Sequence, residues 1–221
     1  MISRLTILFQ GAKYILQTEG LRSLIGKVFS FLKVRFLQYG TCYLYHEALE
    51  EKNEADFLPK IQNYSLKIVC NNQQADELAA NGLEFRSPGI IDRDRLDKGA
   101  IASCIFVGAE LAHKSWHAVT EEAKTSMTTL PYEVGFSKNH AFAGPAFTNP
   151  KFRGLGLWSY RRFKTSELLR KRGFVAMRWV VAESNIEMQR RLANKIGTKP
   201  YAEARYLRIL CWKYWKEKPF T

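Results

Sequence analysis

NPKFRGLGLWSYRRFKTSELLRKRG, residues 149–173, decides the fold. A Pro opens it, two glycines follow in a Gly-x-Gly spacing, and a basic stretch of helical character leads to Gly173. Lys151, Arg153, Arg161, Arg162, Lys164, Arg170, Lys171 and Arg172 stand against one acidic residue, Glu167. A glycine turn at the start of a positive helix presents unpaired N–H groups and the positive end of the helix dipole, which together suit a phosphate. No Walker lysine follows the glycines, and the third Gly of a dinucleotide fingerprint is missing. A P-loop or Rossmann site is therefore disfavoured.

Working outward, strands and helices alternate irregularly. Residues 140–148 (HAFAGPAFT) read as the strand entering the turn. Pro145 cannot donate to a ladder, so that strand must bulge or lie unpaired there. Downstream, VAMRWVVAE reads as a buried strand. SNIEMQRRLANKIG reads as a helix capped by Ser184 or Asn185 and stopped at Gly197, and EARYLRILCWKYW as one closing strand. Upstream, residues 64–70 read as a strand, NNQQADELAANG as a short helix, and residues 100–107 and 110–119 as a hairpin about Gly108. The sum is a mixed α/β sheet rather than a doubly wound one.

The first forty residues differ. Two apolar stripes, Leu5, Leu8, Phe9, Ala12, Leu16 and then Leu21, Leu24, Ile25, Val28, Phe29, Leu32, Phe36, predict two amphipathic helices separated at Gly20. Their basic residues invite peripheral contact with anionic lipid, while burial against the main domain or a second subunit, as in a homodimer, is the plainer reading. Residues 47–61 are acidic and polar and read as a linker. The expected division is an amphipathic helical extension and linker over residues 1–60, then one domain over 61–221.

The chain has 221 residues, a net charge of +13 and 46% apolar residues. That supports a real core and an anionic ligand without choosing between nucleic acid, membrane and phosphorylated small molecule. The basic residues concentrate in the glycine-turn helix and the N-terminal stripes, so a nucleic-acid partner is disfavoured. Cys42, Cys70, Cys104 and Cys211 are scattered, and a reduced cytoplasmic protein without zinc is expected. His113 and His117 lie on one strand and face the same way, which allows a metal pair but suits two ordinary histidines better.

Residues 149–157, NPKFRGLGL, resemble the acyl-CoA-binding motif of the GNAT superfamily of N-acyltransferases, Gln/Arg-x-x-Gly-x-Gly/Ala. Arg153 and Gly156 match it, and Trp158 departs where Gly or Ala is usual. Asn185, Lys195 and Gly197 match the family's later helix, with Thr198 in place of its Phe. The resemblance covers roughly the last two thirds of the chain. It implies a GNAT-like acyltransferase fold with splayed fourth and fifth strands, and direct transfer of an acyl group from acetyl-CoA or another acyl-CoA to an unidentified amine. No metal is implied. Ala146, Phe147 and Thr148 would meet the pantetheine arm. Arg153, Gly154, Leu155, Gly156 and Leu157 would meet the pyrophosphate, and Arg161 the ribose phosphate, with Asn185 beside them. His140 is the candidate base and Glu133 a rival. The family's usual Tyr acid has no match, which leaves room for a catalytically degenerate member serving as a binding or membrane-associated scaffold.

Overall fold

The computed structural model describes residues 37–209 and 212–220. Residues 1–36, and with them almost all of the expected helical extension, lie outside the described residues. Eight strands form one mixed sheet in the order β2-β3-β4-β5-β6-β1-β7-β8. They are β1 (Leu37–Ala48), β2 (Tyr64–Val69), β3 (Ile101–Val107), β4 (Glu110–Ala118), β5 (His140–Thr148), β6 (Ala176–Ala182), β7 (Ala202–Ile209) and β8 (Trp212–Pro219). The helices are α1 (Asn72–Ala80), α2 (Ile91–Asp97), α3 (Glu121–Thr125), α4 (Leu157–Lys171) and α5 (Ile186–Ile196).

Two corrections follow. The stretch expected as one closing strand is the hairpin β7–β8. The sheet also begins well before residue 61. β1 pairs antiparallel with β6 on one side and β7 on the other, so residues 37–48 are central strand rather than extension or linker. The rest of the acidic segment is docked: Lys60 N–H donates to the Leu155 carbonyl at 2.9 Å, and Phe57 stacks on Phe163 at 5.1 Å.

One face of the sheet buries Cys42, Leu44, Phe106, Trp116, Tyr132 and Phe142 beneath α1, α2 and the segment after α3. The opposite face, under α4 and α5, buries Tyr45, Ala141, Trp158, Leu169, Met177, Trp179 and Leu192. α4 is tied to β3 by Ser103 and Thr165, whose hydroxyls lie 3.0 Å apart in the core.

Two irregularities place the site. β5 runs parallel to β6 only from His140↔Ala176 to Phe142↔Arg178, and then the two strands part. On its other edge β5 bulges: Ala146 faces Ser115 and Ala143 faces His117, so Gly144 and Pro145 share the place opposite Trp116. The bulge falls at Pro145, where the missing N–H demands it.

Candidate active site

Where β5 and β6 part, a cleft of about 540 Å³ opens between the end of β5, the head of α4 and the start of α5. Its floor is the glycine turn. Gly154 and Gly156 have φ of +80° and +82°, in the left-handed region that disfavours side chains. A Cβ on Gly154 would meet nothing within 4 Å, whereas one on Gly156 would lie 3.6 Å from the Pro59 backbone. That is ordinary van der Waals contact, so glycine is favoured at 156 by its positive φ rather than by lack of space. No side chain caps α4, and its first-turn amides face the cleft unspent.

The cleft gathers most of the expected ligand-binding residues: Ala146, Thr148, Arg153, Gly154, Leu155, Gly156, Leu157 and Asn185. Asn185 caps α5, its side-chain oxygen accepting the Met188 N–H at 3.2 Å, so its amide NH₂ stays available. Phe147 is outside the lining. Asn149 N–H bonds Ala112 on β4, and backbone groups alternate sides along a strand, so Phe147 also points to β4 while Ala146 and Thr148 present theirs to the open edge. Arg153 reaches back to the Thr148 carbonyl at 3.4 Å.

Sequence reading missed Arg190 and Arg191 of α5 as part of this cleft. They sit 34 and 35 residues beyond Gly156, and only the crossover through β6 brings them to it. Arg191 pairs with Glu187 at 2.7 Å; Arg190 is exposed and has no partner among the described residues. Trp158 turns inward, 8% exposed, with the Arg162 and Arg191 guanidinium groups over its ring. The departure from the motif therefore does not obstruct the turn.

Arg161 is a correction. It is 2% exposed and absent from the cleft wall, so it does not meet a phosphate. α4 packs over β3 and β4, and the Arg161 side chain is laid against β4. Its Nε–H donates to His113 Nε2 at 3.2 Å, and its Nη1 lies 3.0 Å from His117 Nε2. Burial, with Arg162 beside it, lowers its pKa to about 9, so it remains a cation at neutral pH. Burial and then Arg161 push His113 down to about 2 and His117 well below its ordinary value, so both are neutral. His113 and His117 do face the same way, and both meet the Arg161 guanidinium. Among the described residues no group of three or more His, Cys, Asp or Glu is placed to hold one.

His140 stands at the opposite end of β5 from Thr148, about 26 Å along an extended strand. It is not in the cleft wall. It lies instead just before the strands part, with ring centroids 5.7 Å from His46. Its Nδ1, 3.2 Å from the Val134 carbonyl, must be the protonated nitrogen, since a carbonyl only accepts; the Nε2 lone pair is left over. Nearby, Arg178 of the last parallel pair lies over the Tyr201 ring at 5.7 Å, and the Tyr201 and Tyr132 hydroxyls are 3.0 Å apart. Burial, reinforced by Tyr201, raises the Tyr132 pKa. Glu133 is exposed while Tyr132 and Val134 are buried, and it takes no part in this cluster.

No protein-family model matches the chain, and no curated protein matches it in sequence. Similar solved structures include the tandem GNAT protein from the clavulanic acid biosynthesis pathway, 17% identical with a TM-score of 0.48 over 83% of this chain and 55% of that one. A GCN5-related N-acetyltransferase from Sphaerobacter thermophilus is 11% identical, with a TM-score of 0.48 over 86% and 56%. A functionally unknown conserved protein from Staphylococcus epidermidis is 14% identical, with a TM-score of 0.47 over 85% and 67%. The chain thus spans between 55% and 67% of the length of these three. The mixed sheet, the parted strands and the strand–glycine turn–helix unit have the arrangement that the sequence resemblance implies. What the protein does is argued from its own residues.

Proposed function

We propose that this protein is an acyl-CoA-dependent N-acyltransferase that uses acetyl-CoA and acts on an amine. The observation that carries the reading is the cleft between parted strands, which joins a glycine-turn helix without a side-chain cap to Arg153 and Arg190, cations left without carboxylates among the described residues. Unspent amides and arginines hold phosphates through charge-assisted hydrogen bonds. The open edge of β5 at Ala146 and Thr148 offers an extended, amide-bearing arm the ladder that β6 does not supply. The arm would lead from the phosphates towards the parting point of the strands. There Arg178, Tyr132, Tyr201 and His140 line the opposite face.

Acyl transfer to an amine needs the two reactants held together, a proton taken from the amine and one given to the leaving thiolate. His140 Nε2 carries the lone pair for the first task, and the Tyr132–Tyr201 hydroxyl pair is the proton source for the second. A cytoplasmic setting, where acyl-CoA is plentiful, suits the reaction. Among the described residues no helix is long and apolar enough to cross a membrane.

Calorimetry with acetyl-CoA tests the donor, and thiol release across a panel of amines, amino sugars and peptides tests the transfer. Saturable binding followed by amine-dependent thiol release is expected; absence of binding would refute the reading. His140→Ala should lower turnover about a hundredfold while leaving CoA affinity unchanged. Unaltered turnover at every pH would remove His140 from the mechanism.

A further inference from the structure

Arg161 is a buried cation for which no carboxylate is paired among the described residues. Its neighbour Arg162 is buried too but has Glu47. Burying an unneutralised charge is costly, and such groups are commonly kept for what they do to their surroundings. What Arg161 does can be followed atom by atom. A guanidinium only donates, so His113 Nε2 must be a lone pair and the His113 proton must sit on Nδ1. Nδ1 lies 2.8 Å from the Thr148 hydroxyl oxygen and therefore donates to it. A hydroxyl that accepts this bond still owns its hydrogen. Among the described residues Thr148 has no other side-chain bond; it is half-buried and lines the cleft.

We propose that the Arg161–His113 pair fixes the Thr148 hydroxyl as a hydrogen-bond donor directed into the cleft, where it binds a phosphate oxygen of the ligand. The identity of that ligand as CoA rests on the function proposed above. Each bond in the line points the same way, from the cation outward, and successive hydrogen bonds polarise one another in a low-dielectric interior. The rest of the wall explains the choice of a phosphate. The α4 amides, Arg153 and Arg190 are all donors, so a further oriented donor completes a site for an oxygen-rich anion. Arg161 and His113 touch no ligand and act as positioning residues; Thr148 is the contact.

Calorimetry on the full chain with CoA, inorganic pyrophosphate and phosphate-free pantetheine decides the matter. Thr148→Ser, which keeps the hydroxyl, should bind CoA within about twofold of wild type, while Thr148→Val should bind it about tenfold more weakly. Pyrophosphate should show the same loss and pantetheine none. The imidazole ¹⁵N spectrum should report His113 protonated on Nδ1 in the wild-type protein. Thr148→Ala, with a melting curve, replaces the valine variant if that one does not fold. Wild-type CoA and pyrophosphate affinity in a folded Thr148→Val or Thr148→Ala protein, or a His113 proton on Nε2, overturns the proposal. If the wild type binds pyrophosphate through Thr148 but not CoA, the donor assignment falls and this inference stands. If it binds neither, this inference falls as well.

Discussion

Two cavities of nearly equal size flank α4, one at its head and one along its side, of about 540 and 520 Å³. The second is lined by Glu47, Glu50, Glu51, Glu54, Asp56 and Glu167 with Lys52, Arg162 and Arg170 among them. Its charges are largely spent on one another. Glu47 pairs with Arg162 and Lys52, Glu54 and Glu167 with Lys164, and Glu51 with Arg170. The head cleft is poorer in charged groups, yet among the described residues Arg153 and Arg190 keep theirs without a carboxylate. Volume does not distinguish the two; the sign of the uncompensated charge does, arginines at the head against Glu50 and Asp56 on the flank. The flank holds the docked acidic segment to α4, and the head is left open to a ligand.

The largest effect expected from this contrast is on the flank. Arg162 is stacked against Trp179 at 4.3 Å and buried, and Glu47 is its only carboxylate among the described residues. Glu47→Ala should cost about 3 kcal/mol in denaturant unfolding, since it strands a buried cation. CoA binding by the residual folded protein should be unchanged; a weakened Kd would show that the two cavities are not separate. The pH dependence has a definite sign. Burial works against the Glu47 carboxylate, but Arg162 and Lys52 outweigh it, so its pKa lies below the ordinary 4.5. A depressed folded-state pKa gives stability that is fully present above the unfolded value and lost as pH falls through the folded one. The stability gap between wild type and Glu47→Gln should therefore be constant near neutrality and close in acid.

Next in size is the head cleft. Arg153→Ala with Arg190→Ala should weaken CoA binding about a hundredfold by calorimetry, two charge-assisted contacts at roughly tenfold each. The loss should shrink at high salt, with stability unaltered. Affinity within twofold of wild type would erase the distinction between the cavities. The smallest effect sharpens it. Arg170→Ala breaks only the exposed pair with Glu51, at 3.7 Å, and should change stability by less than about 0.5 kcal/mol.

The parts of the fold that could be read ahead are those whose signals are local. The glycine turn, the Asn185 cap, the hairpin about Gly108 and the bulge at Pro145 each rest on a few adjacent residues. β1 was illegible for a physical reason. Cys42 and Leu44 are buried on one face, and Tyr43 and Tyr45 pack on the other. A central strand covered on both sides loses the polar–apolar alternation that marks a strand. The change from β7 to β8 was hidden because residues 202–215 carry no Gly or Pro. In the site, the floor was legible and the walls were not. Arg161 reads as a partner for the ribose phosphate until β4 places His113 and His117 beneath it. Arg190 reads as one more basic residue on a helix until β6 brings α5 round to the turn.

β1 also sets an order of assembly. Strands β2 to β5 pair with their neighbours in sequence as an antiparallel meander, tightly turned between β3 and β4 and linked by longer, partly helical segments elsewhere. β1 does the opposite: Ala48 waits for Ala176, and Leu37 for Ile209. Loop-closure entropy makes such distant pairings late. On the ribosome the first strand of the sheet must stay unpaired until most of the chain has followed it. Its edges are exposed to wrong partners in the interval. β6, one side of the parted strands, has β1 as its only long-paired neighbour, since it shares just three residues with β5. On refolding, competence to bind a ligand should therefore be gained last, after the meander is already in place.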